Sequence, residues 1–234
     1  MNIILFDAMP TLLPLSDERA KHITHILRLK KGDSFRSGII NGEEFESTIV
    51  SITDDGIALE SRKTRDAVPL FPLTLMLAEV RPISMRRILR EAVSLGVGRI
   101  MLLISDLGEK SYSDAGLYTK GEYRKILLDG AMQSGFTGIP PVEFFSSVDE
   151  AVKAVDSDSS LLLDNVVGKE RLSQMYLTGS VTVAVGPERG WSDRERELML
   201  SNGFTPTRIG NRILRTETAA VATIAMTLSA MNLI

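Results

Sequence analysis

The chain has 234 residues, of which 44% are hydrophobic and 24% charged, and its formal net charge is -3. This composition is typical of a folded protein with one or two domains, and the slight negative charge counts against a surface that binds polyanions throughout. Cysteine is absent, which excludes disulfides and thiolate metal sites. The N-terminus lacks the plan of a signal peptide and no apolar run reaches the roughly 18 to 20 residues of a membrane span, so we expect a cytoplasmic protein without a membrane segment.

Short apolar segments alternate with turn sequences over the first 70 residues. Strand patterns cover residues 2–6, 34–38, 44–52 and 56–60, and a helix pattern covers 17–29. The stretch 62–72 holds two prolines and follows neither periodicity, so we interpret it as a linker. The sequence thus predicts a small β-barrel over residues 1–70 and a second domain over 71–234.

Strand and helix patterns alternate after the linker, which predicts an α/β domain with a parallel sheet. The predicted strands are 73–78, 99–104, 142–145, 161–164 and 181–185, with a short strand near Thr207, and the predicted helices are 84–95, 121–132, 192–202 and 217–231. Ser192 and Glu195 have the spacing of a capping box at the start of the third of these helices.

Two groups of basic residues are candidates for binding phosphates. The first lies within 19–31, where His22 and His25 accompany five cations and there is no acid. The second lies within 81–99, where the helix period places Met85, Ile88, Leu89, Ala92 and Val93 on the inner face and leaves Arg86, Arg87 and Arg90 outside. A solvated face is the alternative interpretation of each group. The residues predicted to contact phosphates are His25, Arg28, Arg81, Arg86 and Arg87.

The sequence lacks the motifs of several common enzyme classes, so these classes are not supported. There is no phosphate-binding P-loop, no complete dinucleotide fingerprint, no His-Glu-x-x-His and no Gly-x-Ser-x-Gly. With only two histidines, a metal site would rest almost wholly on carboxylates, so we expect no metal.

Two loops in the last third of the chain remain as candidates for a ligand site. Gly186-Pro187-Glu188-Arg189-Gly190 follows a buried strand pattern, at the strand end where parallel sheets bind ligands. An ordinary glycine turn before a capped helix would give the same pattern. The second loop, residues 209–215, places Ile213 and Leu214 between two arginines. This arrangement suits a cofactor pocket that needs an apolar face and cations beside it.

These two loops resemble the paired motifs of the RsmE family, which methylates N3 of a uridine in 16S ribosomal RNA. The matching residues are Gly186-Pro-Glu-Arg-Gly-Trp-Ser192 and Ile209-Gly-Asn-Arg-Ile-Leu-Arg-Thr-Glu-Thr-Ala219. The resemblance extends over nearly the whole chain through His22-Ile-Thr-His-Ile-Leu-Arg28, Lys31-Gly-Asp33 and Ser94-Leu-Gly-Val97. It implies a PUA-like RNA-binding β-barrel followed by a SPOUT α/β methyltransferase domain whose C-terminal segments form a trefoil knot.

The resemblance also implies S-adenosylmethionine (AdoMet) as cofactor, 16S rRNA of the small ribosomal subunit as partner, and a homodimer. The apolar last helix, with its alanines and its Val221, Ile224, Met226 and Leu228, supports the dimer. The predicted cofactor residues lie in the two loops and at one neighbouring strand end: Leu163, Gly186, Pro187, Glu188, Gly190, Ile209, Gly210, Ile213, Leu214 and Thr218.

For catalysis we predict roles for Arg212, Arg215 and Glu217. Arginine cannot act as a base, but Arg212 and Arg215 could stabilise the uracil oxyanion that forms as the N3 proton leaves. Glu217 is the nearest carboxylate in sequence, and a cap in the first turn of its helix is an equal alternative role. The sequence does not identify the residue that acts as the general base.

Three positions depart from the family pattern. Arg189 replaces a glycine, and Met132 and Phe136 replace an acidic and a basic residue. Met132 and Phe136 are four positions apart and would be neighbours on a helix. A sulfur-aromatic contact between them would then replace the ion pair of the family pattern. If the family's basic residue touches RNA, the target here differs. The alternatives are therefore a SPOUT enzyme with another rRNA or tRNA target, or a ribosome assembly factor without transferase activity.

Overall fold

The computed structural model describes residues 2–234, which form two compact units. The N-terminal unit runs to Pro69 and includes the separate segment Ala131–Ile139, and the C-terminal unit comprises Leu70–Gly130 and Pro140–Ile234. The predicted boundary at residue 70 had left Ala131–Ile139 in the second domain. This segment belongs with the first because Thr137 donates a hydrogen bond to the Gly42 carbonyl oxygen (2.8 Å) and accepts one from the Asn41 amide (2.9 Å).

The N-terminal unit contains one five-stranded sheet of order β1-β3-β4-β5-β2. The pair β1–β3 is parallel and the other pairs are antiparallel. Its core is made of apolar residues from the strands and from the helical segment, including Phe6, Ile23 and Ile57. The elements are β1 (Ile4–Phe6), β2 (Leu12–Leu13), α1 (Glu18–Lys21), a π-helix (His22–Ile26), β3 (Ser34–Ile39), β4 (Glu44–Thr53) and β5 (Gly56–Arg65).

Two predictions for this unit are confirmed only in part. The predicted helix 17–29 is α-helical only to Lys21, continues as a π-helix to Ile26, and is followed by Arg28 with a φ of 57°. The predicted linker 62–72 is without regular structure only at 66–70, because β5 continues to Arg65, which pairs with Glu44, and the next strand already begins at Phe71. Pairing with β4 outweighs the polar composition of 62–65.

The C-terminal unit contains a seven-stranded sheet of order β10-β12-β9-β11-β6-β7-β8, in which every neighbouring pair is parallel. The predicted parallel α/β sheet is confirmed. Its elements are β6 (Phe71–Ala78), α2 (Pro82–Ser94), β7 (Val97–Leu103), α3 (Gly116–Thr119), α4 (Tyr123–Ser134), β8 (Val142–Phe145), α5 (Val148–Lys153), β9 (Ser159–Leu163), β10 (Glu170–Arg171), β11 (Val181–Val185), α6 (Asp193–Ser201), β12 (Thr205–Arg208) and α7 (Thr216–Ala230).

The helices of this unit follow their sequence patterns closely. The five apolar residues predicted for the inner face of α2 are all buried, and Arg87 and Arg90 are exposed. At α6 the predicted capping box is confirmed, since the Ser192 hydroxyl accepts a hydrogen bond from the Glu195 amide while the Glu195 carboxylate accepts one from the Ser192 amide. Over residues 2–234, no helix combines the length and the apolar character needed to cross a bilayer.

The predicted contact between Met132 and Phe136 was wrong. Helix α4 ends at Ser134, and Gly135 adopts a φ of 81°, so Phe136 lies beyond the helix end. Met132 is buried, whereas the Phe136 ring is 44% exposed and lies under the Arg65 guanidinium, 5.1 Å from its carbon. A cation–π contact thus replaces the expected sulfur-aromatic one.

Candidate cofactor and substrate site

The two motif loops meet at the carboxyl-terminal edge of the parallel sheet. Strands β9 and β11 are adjacent and end together, with Leu163 paired to Val185, and β12 lies on the other side of β9. The loops that follow these strands therefore emerge side by side. This is the edge at which parallel α/β sheets bind their ligands.

A cavity of about 280 Å³ opens between these loops. Its lining includes Leu163, Gly186, Pro187, Glu188, Gly190, Ile209, Ile213 and Leu214 from the predicted cofactor residues. Gly210 and Thr218 do not belong to the lining. Arg189, one of the departures from the family pattern, does belong to it, as do Asp164, Asn165, Val166, Trp191, Arg196, Thr216 and Ala219.

Trp191 forms a buried wall of the cavity that the sequence analysis missed. Its side chain is 1% exposed, and a Cβ atom at Gly186 would approach the indole ring to 3.1 Å, so the ring packs closely on this glycine. Gly190 adopts a φ of 73°, which an L side chain rarely takes. The two glycines thus let the first loop turn tightly over the indole. The indole Nε1 is buried without a hydrogen-bond partner among residues 2–234.

Asp164 and Arg196 form a buried ion pair at the same cavity. The Asp164 carboxylate accepts hydrogen bonds from the amides of Val166 (2.6 Å) and Val167 (2.9 Å) and from Arg196 Nε (2.9 Å). The side chains of Asp164 and Arg196 are 3% and 13% exposed. This pair fixes the loop after β9. The sequence signal that could have identified Asp164 is an aspartate directly after a buried strand pattern.

The predicted catalytic residues occupy different places around the second loop. Arg212 is exposed and lines the cavity, whereas Arg215 is exposed at the N-cap position of α7 and is not part of the lining. Glu217 lies in the first turn of α7, also outside the lining. The structure thus brings Arg212 to the cavity but leaves Arg215 and Glu217 beside it.

A second group of polar residues lies at the ends of β6 and β7. Glu79 follows β6, and its carboxylate accepts a hydrogen bond from the Ser113 hydroxyl (2.5 Å). Burial raises the pKa of Glu79 above its usual range, and the Ser113 hydrogen bond opposes this only in part. Burial also raises the pKa of Tyr118, and the negative charges of Glu79 and Glu188 add to the effect. The Tyr118 hydroxyl is buried and has no partner within residues 2–234.

Glu188 connects this group to the cavity. It lines the cavity, and its Oε1 accepts a hydrogen bond from the backbone amide of Arg81 (3.1 Å), two residues after Glu79. The Tyr112 hydroxyl beside the Arg81 guanidinium raises the pKa of Arg81. The polar group at the end of β6 is therefore continuous with the first motif loop.

The predicted RNA contacts are distributed over both units. In the N-terminal unit, His25 and Arg28 are exposed around the π-helix, next to Ile26, which is 68% exposed. In the C-terminal unit, Arg81 and Arg87 are exposed, and Arg86 forms an ion pair with Glu122. The described part of the chain, 2–234, holds no group of three or more His, Cys, Asp or Glu side chains arranged for a metal.

A parallel α/β sheet with a cavity between two loops at its strand ends defines the class of α/β proteins that bind a small ligand at this edge. Comparison with known proteins gives the family. A model of the RNA methyltransferase domain matches residues 67–228, and a model of the RNA methyltransferase PUA domain matches residues 15–60. The chain belongs to this family of RNA methyltransferases, and the predicted family resemblance is confirmed.

Named relatives agree with this assignment. A protein of Treponema pallidum named ribosomal RNA small subunit methyltransferase E is 36% identical over 98% of this chain and 91% of its own length. A Borreliella burgdorferi protein named ribosomal RNA small subunit methyltransferase E 1 is 30% identical over 98% of both chains.

A solved Neisseria gonorrhoeae structure of the protein named ribosomal RNA small subunit methyltransferase E, with bound S-adenosylmethionine, has a TM-score of 0.81. It is 23% identical and covers 98% of this chain and 97% of that one, so it shows the same fold. The predicted combination of a PUA-type domain and an α/β methyltransferase domain is confirmed, and the trefoil knot stays a prediction.

Proposed function

We propose that this protein transfers a methyl group from AdoMet to N3 of a uridine in 16S rRNA of the small ribosomal subunit, in the cytoplasm. The observation that supports this most is the cavity at the sheet edge, because both RsmE-type motif loops line it. The names of the Treponema and Borreliella relatives give small-subunit rRNA as the substrate class.

The cavity fits AdoMet in size and chemistry. Its volume of about 280 Å³ is close to the lower end of the roughly 300–1,000 Å³ of typical ligand pockets. Leu163, Ile209 and Leu214 offer apolar surface for an adenine ring, and Trp191 adds its indole to the wall. When bound, AdoMet supplies a methyl group on a positively charged sulfur. Glu188 places a carboxylate in the lining for that charge.

The arginines of the second loop stabilise negative charge on the target base. As N3 of uracil loses its proton, charge spreads onto the two carbonyl oxygens, and a fixed guanidinium lowers the energy of that state. Arg212 lies in the cavity lining, and Arg215 extends from the N-cap of α7. Glu217 is a weaker candidate, because the start of the helix favours an acid there without any catalytic role.

Two measurements test this function. Small-subunit rRNA from cells that lack the protein should lose one N3-methyluridine, and the purified protein should restore it with AdoMet. We expect Arg215→Ala to reduce the single-turnover rate by a factor on the order of 10² to 10³, the effect of removing one preorganised charge donor. An unchanged rRNA modification pattern would refute the function, and an Arg215→Ala rate near the parent's would assign Arg215 to the scaffold.

AdoMet binding separates this enzyme from a non-catalytic assembly factor. Calorimetry should detect binding, and Gly210→Asp should weaken it, because the new carboxylate lies directly beside Ile209, which lines the cavity. A Cβ atom at Gly210 has open space around it, so this substitution leaves the free fold intact. Absence of any binding at millimolar AdoMet would favour the assembly factor.

RNA binding by the two basic groups predicts a salt-dependent affinity. Arg28→Ala and Arg87→Ala should each lower the slope of log affinity against log salt by about one, because each variant neutralises one phosphate fewer, and should leave AdoMet affinity unchanged. Arg87 is a sharper test than Arg86, whose replacement also removes the ion pair with Glu122. His25 and Arg81 are the remaining candidates.

We also propose a homodimer. Large apolar side chains are exposed in the C-terminal unit, with Ile213 at 89%, Tyr176 at 81% and Val166 at 73% exposure, and one side of α7 is only partly buried. Exposed apolar side chains of this size are available to be buried in an interface between two copies. Light scattering at micromolar concentration should give twice the mass of the chain, and a monomer would exclude the dimer.

A different rRNA or tRNA target is the second candidate function, which the exposed Phe136–Arg65 stack supports.

A further inference from the structure

Glu79 is a buried carboxylate at the sheet edge that none of the motifs includes. Leu77 of β6 pairs with Val185 of β11, so Glu79 and Pro187 each lie two residues beyond this pair, on the same edge of the sheet. The Glu79 amide donates to the Leu103 carbonyl oxygen at the end of β7 (2.8 Å). The residue is thus fixed beside the first motif loop, with 9% of its surface exposed.

The hydrogen bonding around Glu79 leaves it able to accept a proton. Its one hydrogen bond comes from the Ser113 hydroxyl, and the ion pairs found within residues 2–234 do not include it. Tyr118 and Glu188 carry no positive charge that could compensate that of Glu79, and Arg81 lies beside Tyr112. A buried carboxylate without a cation is a stronger base than one in solution.

We infer that Glu79 is the general base that removes the N3 proton of the target uracil, and that the Tyr118 hydroxyl donates a hydrogen bond to an adjacent uracil carbonyl oxygen. This inference rests on the proposed function. In the free protein the Ser113 hydroxyl donates to Glu79, and the N3–H donor of the base takes its place. Tyr118 gains the partner that its buried hydroxyl lacks.

The reaction balances through these residues. The N3–H bond breaks and its proton moves to the Glu79 carboxylate, while the nitrogen electron pair forms the new bond to the methyl carbon. The bond from that carbon to sulfur breaks and its electrons remain on sulfur. Glu79 then returns the proton to solvent. Tyr118 and the arginines of the second loop hold the negative charge on the uracil oxygens while N3 is deprotonated.

The pH dependence of the single-turnover rate tests this role. In the parent, the rate should rise as Glu79 loses its proton and then level off. Glu79→Gln should remove that inflection and lower the rate at neutral pH by a factor on the order of 10², the typical contribution of a general base. Its deficit should shrink at high pH, where N3 loses its proton to solvent. With RNA below saturation, where the inflection reports the free protein, Ser113→Ala should shift it to higher pH, because this variant removes the hydrogen bond that lowers the pKa of Glu79.

Unfolding of the protein without AdoMet gives a readout independent of activity. Because the folded-state pKa of Glu79 is raised, its protonated form stabilises the fold at acid pH and this contribution is lost as the pH rises through the folded pKa. Glu79→Gln, which stays neutral, should therefore melt at a higher temperature than the parent at pH 8 and at the same temperature near pH 4. A merely structural Glu79 would give a lower melting temperature instead.

The controls separate failure of this inference from failure of the proposed function. Glu197→Gln, on the exposed side of α6, should match the parent in rate and pH profile. If the parent methylates no small-subunit rRNA, the proposed function fails. If the parent is active and Glu79→Gln keeps both the inflection and a rate within threefold of the parent's, Glu79 is not the base.

Discussion

The two sides of the candidate site each hold a buried carboxylate, and the two carboxylates differ in how many hydrogen bonds they accept. On the side of β9 and α6, Asp164 accepts two backbone amides and the Arg196 guanidinium. On the side of β6 and β7, Glu79 accepts only the Ser113 hydroxyl, and the nearby Tyr118 hydroxyl has no partner within residues 2–234. A satisfied carboxylate stabilises the fold, whereas an unsatisfied one costs stability and is available for proton transfer. We therefore assign a structural role to the side of β9 and α6 and a catalytic role to the side of β6 and β7.

The largest effect is expected on the satisfied side. Asp164→Ala should lower the free energy of unfolding by about 3 to 5 kcal/mol, because it removes the acceptor of Arg196 Nε and of two backbone amides and leaves the guanidinium only its exposed contact with Asp193. Urea unfolding measures this difference. Asp193→Ala is a matched control, since Asp193 bonds the same guanidinium but is 100% exposed, and it should cost about 1 kcal/mol or less. Equal losses in the two variants would contradict the scaffolding role of Asp164.

A second effect on this side comes from Glu195, which is 0% exposed. Its carboxylate accepts the Ser192 amide in the capping box and the Asp106 amide after β7, both at 2.8 Å. Glu195→Ala should therefore cost about 2 kcal/mol, because it leaves two amides without their acceptor. The exposed Glu197 of the same helix gives the reference, and Glu197→Ala should change the free energy of unfolding by about 0.5 kcal/mol at most. A loss no larger than this reference would show that solvent replaces the capping box.

The sequence predicted the satisfied side better than the other one. Gly186, Ser192 and Glu195 are parts of local patterns, in which a strand, a turn and a cap follow each other within ten residues. Glu79 and Ser113 are 34 residues apart and belong to no short pattern, so only the fold brings them together. Asp164 lies between these cases, because its amide contacts are local while its partner Arg196 is 32 residues away.

The difference between local patterns and contacts of distant residues also explains where the predictions of the fold were wrong. The patterns of α2 and of the parallel strands were sufficient because α2 buries one continuous face and a central strand such as β11 is buried along its whole length. The change from α- to π-helix at His22 and the pairing of Arg65 with Glu44 depend on packing within the N-terminal unit, which periodicity does not record. Phe136 was misplaced because Gly135 ends the helix with a positive φ before the fourth position is reached.

The smallest effect is expected for Tyr118, and its sign is opposite to those of Asp164 and Glu195. Tyr118→Phe removes a buried hydroxyl without a partner but keeps the ring, whose edge-to-face contact with Phe144 has a centroid distance of 6.0 Å. We expect a gain of about 1 kcal/mol in the free energy of unfolding, since the cost of burying the hydroxyl disappears. The same variant should methylate more slowly, because the uracil oxygen loses a donor. Paired urea unfolding and single-turnover assays measure both changes. A destabilised Tyr118→Phe protein would mean that the hydroxyl is satisfied in solution, and the contrast between the two sides of the site would then rest on Glu79 alone.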